Sequence, residues 1–117
     1  MDLADNACVP CRGGVPPLPK ARAEALLGEL AGAWRLNTAG HLECTYVFRN
    51  FADAMAFANR VGAIAERENH HPDLTVRWGQ CVVEIWTHKI SGLTESDFYL
   101  AAKVERAFRA RDESQTE

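Results

Sequence analysis

No apolar run in the sequence approaches the roughly 20 residues needed to cross a bilayer. The start, Met1 to Asn6, also lacks a basic segment followed by an apolar one. Neither a membrane span nor a secretory leader is therefore expected, and the expected compartment is the cytoplasm. Cysteine is sparse: Cys8, Cys11, Cys44 and Cys81 are all there are in 117 residues. A secreted disulfide scaffold of this length carries more of them, closer together, so reduced thiols are expected. Positive charge is not in excess, with 13 Lys and Arg against 16 Asp and Glu and a net charge of −3. That removes the electrostatic footprint of a direct nucleic-acid binder. A Gly-rich phosphate loop, a Walker-type lysine and a Gly-x-Ser-x-Gly elbow are all missing, which sets aside the common nucleotide and acyl-transfer readings.

What is present suits one folded domain. Hydrophobic residues make up 47% and charged ones 25%, enough to bury a single core. Residues 1–18 read as a flexible arm, because Gly13, Gly14, Pro16, Pro17 and Pro19 crowd behind Cys11. Cys8-Val-Pro-Cys11 has the spacing of half a zinc site or of a redox pair, yet no second such pair and no matching His pair accompanies it. Residues 19–110 form the expected domain, and 111–117 a polar tail.

Within the domain, Ala23, Leu26, Leu27 and Leu30 make one helical stripe that Gly32 ends. Trp34 to Leu36, a turn at 37–40, and the alternation of Leu42, Cys44, Tyr46 and Phe48 with Glu43, Thr45 and Arg49 predict a hairpin. Asn50 is an N-cap for a second helix, whose apolar stripe is Phe51, Met55, Ala58, Gly62 and Ala65. Asn69-His-His-Pro72 breaks it, since proline disfavours helical geometry in the preceding residue. Residues 74–78 and 81–89 read as two more strands around a tight Gly79-Gln80. Thr94-Glu-Ser-Asp97 opens a third helix with the stripe Leu100, Val104, Ala107 and Phe108. The expected fold class is α+β: a four-stranded antiparallel sheet with helices packed on one face, in the order α-β-β-α-β-β-α.

Three of the four histidines, His70, His71 and His88, fall at the ends of these elements. An imidazole titrates near about 6.5, so such a group exchanges protons at cellular pH. Glu66 lies one helical turn before His70, within reach to orient an imidazole. Simpler readings stand beside this one. A histidine at a helix end can serve the helix dipole alone. Trp78 and Trp86 read as sheet-packing residues, Asp97 as a helix-start carboxylate, and His41, beside Gly40 in the turn, as solvated. Adjacent side chains such as His70 and His71 diverge, so a metal site is not expected.

The run Glu66-Arg-Glu-Asn-His70-His71-Pro72, followed at fixed spacing by Trp78, His88 and Asp97, resembles the signature of the pterin-4a-carbinolamine dehydratases. These are also called dimerization cofactors of a homeodomain transcription factor. Thr87-His88 and Gly92-Leu93-Thr94-Glu95 add to the resemblance, which covers roughly Leu18 to Ala110. It implies an enzyme that dehydrates 4a-hydroxytetrahydropterin to quinonoid dihydropterin without cofactor or metal, completing a cycle that a pterin-dependent hydroxylase begins. It further implies His71 and His88 as the acid–base pair, with His70 positioning the ring and Glu66 supporting the site. Asn69, Trp86, Thr87 and Lys89 would line the pterin edge, and the chain would form a homo-oligomer, dimer or tetramer. The alternative implied by the same family is a non-catalytic binding or oligomerisation module that partners another protein. Two positions depart from the pattern: many members carry Asp where this chain has Asn69, and animal members carry Arg where it has Ser96.

Overall fold

A computed structural model describes residues 2–9 and 16–111 of the chain. Cys11 and residues 112–117 of the expected tail lie outside the described residues. Helix α1 (Lys20–Glu29) leads into strand β1 (Arg35–Leu36) and strand β2 (Leu42–Val47). Helix α2 (Phe51–Glu68) follows, then strands β3 (Asp73–Arg77) and β4 (Gln80–Ile85), and finally helix α3 (Glu95–Arg109). The four strands make one antiparallel sheet in the order β1-β2-β4-β3. Register places Leu42 opposite Ile85, Cys44 opposite Val83 and Tyr46 opposite Cys81. All six are buried, as period-two alternation requires when one face carries the core. The helices cover that face, and the chain is α+β in the order read from the sequence.

Helix α2 starts where expected, with the Asn50 side chain accepting the Asp53 N–H at 2.8 Å. Its buried stripe, however, is Ala54, Phe57, Ala58, Val61, Ile64 and Ala65, whereas Phe51 and Met55 are 48% and 37% exposed. Two neighbouring apolar stripes both satisfy a 3.6-residue period, and only packing against the sheet chooses between them. The long second strand expected over 81–89 stops at Ile85. Leu42, its last partner, begins β2, so residues beyond Ile85 have no ladder to extend. Thr87 instead bridges to Gly92, and His88–Ile90 form a 3-10 turn closed by Ser91 in the left-handed region. The β3–β4 turn consists of Trp78 and Gly79, with Gly79 at a φ of 73°. A side chain at such a tip cannot reach the core, and Trp78 is accordingly exposed rather than packed on the sheet.

Residues 2–9 run along α3. Ala4 is buried, its carbonyl accepts from Lys103 Nζ at 2.7 Å, and Arg106 pairs with Asp5. Further on, Cys8 N–H donates to Glu68 at 3.0 Å and Val9 N–H to Ser96 Oγ at 2.8 Å. The Cys8 thiol is pushed up to about 12, mainly by burial and then by the Glu68 charge, so it stays protonated.

Candidate active site

The site is assembled where α2 ends. Asn69 adopts the left-handed conformation (φ 52°), and its N–H reaches back to the carbonyls of Ala65 and Glu66. His70 N–H also bonds to Ala65 O at 3.1 Å. After glycine, asparagine is among the residues that enter this region most readily. The reversal sends the next two side chains different ways. His70 turns inward, its side chain 10% exposed, and puts Nε2 at 2.6 Å from Oδ1 of the fully buried Asp97. His71 stays 53% exposed and puts Nε2 at 2.5 Å from Glu66 Oε2, itself 79% exposed. The carboxylate one turn before His70 thus serves His71 instead, because the turn at Asn69 carries His70 past it.

Asp97 combines two tasks. Its Oδ2 accepts the Thr94 N–H at 2.8 Å, the helix-start role read from the sequence, and also the Thr87 hydroxyl at 2.8 Å. Its Oδ1 is left for His70. A carboxylate can only accept, so in this pair His70 donates from Nε2. By the same reasoning His71 donates from Nε2 to Glu66. Sequence reasoning missed the bond from Asp97 to His70. The available signal was that Asp97 closes the same spaced pattern as the histidines.

His88 enters from the 3-10 turn after β4. Its ring lies flat on Trp86, centroids 4.1 Å apart and planes 8° from parallel. The other face of Trp86 carries His41, at 4.0 Å and 4°. His41, expected to be solvated, is therefore half-buried, with Nδ1 at 2.7 Å from Glu84 Oε2. Hydrogen bonds, first from His41 and then from Asn37, hold the Glu84 carboxyl below its ordinary value. Trp86 packs partly against the core but sits chiefly between two imidazoles.

Asn69, His70, His71, Trp86, Thr87, His88 and Lys89 border one cleft of about 340 Å³. Glu66 stands behind His71 rather than on its wall. A larger groove of about 680 Å³ lies between the N-terminal turn, the end of α1 and α3, and no histidine borders it. Among the described residues, no three His, Cys, Asp or Glu side chains gather as metal ligands would. Two imidazoles held by carboxylates and a third stacked on an indole can pass protons to and from a flat, polar guest.

Residues 16–107 match the profile of the family described as Pterin 4 alpha carbinolamine dehydratase. The chain belongs to this family. It is 57% identical over 103 residues to a Rickettsia bellii protein assigned by name to the pterin-4-alpha-carbinolamine dehydratases, covering 88% of this chain and 91% of that one. A similarly named protein of Rubrobacter xylanophilus is 51% identical over 105 residues, covering 90% and 97%. The fold is similar to the crystal structure of a transcriptional coactivator/pterin dehydratase from Brucella melitensis, with a TM-score of 0.71 and 25% identity over 77% of this chain and 96% of that one. No described helix is long and apolar enough to cross a membrane.

Proposed function

We propose that the cleft dehydrates 4a-hydroxytetrahydropterin to quinonoid dihydropterin, recycling a cofactor that a pterin-dependent hydroxylase has hydroxylated in the cytoplasm. Loss of water needs an acid to protonate the departing 4a-hydroxyl and a base to take the N5 proton, as the bond between C4a and N5 becomes double. His71 and His88 supply these two functions from separate chain segments. His70, held through Nε2 by Asp97, positions the ring, and Glu66 orients His71 through its own Nε2. Asn69, Trp86, Thr87 and Lys89 contact the pterin edge. The observation that carries this reading is the meeting of His70, His71 and His88 around one cleft sized for a small molecule. Exposed Phe51 and Met55 on α2 support self-association of the chain into a homo-oligomer.

The test is to generate the carbinolamine with a pterin-dependent hydroxylase and follow its decay. Added protein is expected to accelerate decay in proportion to its concentration. An unchanged spontaneous rate would instead favour the second reading, a binding module that partners another protein, which the coactivator title of the Brucella structure supports.

A further inference from the structure

Each histidine of the cleft is held, but not by the same means. His70 and His71 each give one nitrogen to a carboxylate. Among the described residues no carboxylate bonds His88, and what it has instead is the face of Trp86. An indole lying on one side of an imidazole restrains it only as well as the indole itself is restrained. Trp86 and His41 meet that need. Leu42 pairs with Ile85, and just beyond this last pair of the ladder the rings of His41 and Trp86 stack on each other.

The far side of His41 is mounted rigidly. Its ring bonds to Glu84, whose Oε2 also accepts from Asn37 Nδ2 at 2.9 Å. Asn37 Oδ1 in turn accepts the N–H groups of Ala39 and His41, each at 3.0 Å, which ties the mount to the β1–β2 turn. The result is three near-parallel rings, His41, Trp86 and His88, anchored at one end and open to the cleft at the other.

We infer that His41, which does not border the cleft, is a positioning residue for His88 and acts through the Trp86 indole. This rests on the proposed acid–base role of His88. With His41 removed, one face of Trp86 is bare, the indole gains rotamers, and His88 loses the surface that fixes its plane. A proton-transfer group that is in line only part of the time lowers the chemical step without weakening substrate binding, here by about tenfold.

The experiment compares full-length wild type with His41→Ala and His41→Phe, after thermal melts confirm that each is folded. Two readouts are taken: kcat and KM for carbinolamine dehydration, and the NMR positions of the His88 ring protons, which the Trp86 ring current shifts upfield. His41→Ala is expected to lower kcat about tenfold with KM within about twofold, and to move the His88 signals toward unstacked values. His41→Phe, which restores a flat ring but not the bond to Glu84, is expected to recover most of both. An active His41→Ala protein with unmoved His88 signals overturns the inference and leaves the dehydratase reading standing. A phenylalanine variant as impaired as the alanine one also overturns it, by moving the effect from the stack to the Glu84 bond. An inactive wild type with stacked His88 signals brings down the dehydratase reading instead, and with it the catalytic meaning of the stack.

Discussion

His70 and His71 are neighbours in the chain and the same residue, yet they occupy opposite environments. One lies against a buried carboxylate that also caps α3 and takes a threonine hydroxyl; the other pairs with a glutamate at the helix surface. The difference arises from a single backbone residue, Asn69, whose left-handed turn separates two side chains that would otherwise follow the same helix. A buried pair is costly to break because each lost partner leaves an unsatisfied group, whereas an exposed pair exchanges its partner for water. Proximity of like residues in a motif therefore does not imply like function. His70 is held inside the fold by its carboxylate, and His71 meets its own at the surface.

Removing each carboxylate in turn sharpens that contrast. Asp97→Ala strands His70 Nε2 and the Thr94 N–H and leaves the Thr87 hydroxyl only Thr94 Oγ1, and is expected to cost roughly 3–5 kcal/mol in urea unfolding. Glu66→Ala should cost about 0–1 kcal/mol by the same measurement. Comparable losses at the two positions would break the comparison.

A smaller effect concerns acid. Glu84 is held below its ordinary value by His41, and Glu68 by the Cys8 N–H and then the Lys103 charge. Carboxyls depressed in the folded state add stability that is complete above their ordinary value of about 4.5 and disappears as pH falls through the lower, folded values. Stability should thus decline below about pH 4.5. Glu84→Gln should flatten part of that decline, read from urea midpoints across pH; a slope identical to wild type would contradict the assignment.

Much of the fold was legible because it rests on local periodicity. Asn50, Pro72 and Thr94 punctuate the helices, and the alternation of Cys81, Val83 and Ile85 marks an inward face. The elements that escaped sequence reasoning depend on partners distant in the chain. Nothing near Phe51 tells which of two adjacent stripes the sheet will cover, and nothing near Ile85 tells that β2 begins at Leu42. The same holds in the site. His70, His71 and His88 stand out as a cluster of titratable groups, while the bond from Asp97 to His70 and the stacking of His41 on Trp86 span long sequence separations. The docking of residues 2–9 on α3 likewise depends on distant partners, Lys103 and Arg106.

The central claim is that imidazoles in the cleft carry the protons. It is tested most directly by carbinolamine turnover of His71→Ala and His88→Ala beside wild type, each checked for an unchanged melting temperature. The account predicts a loss of roughly 100-fold or more in each variant. Wild-type rates in both would contradict it.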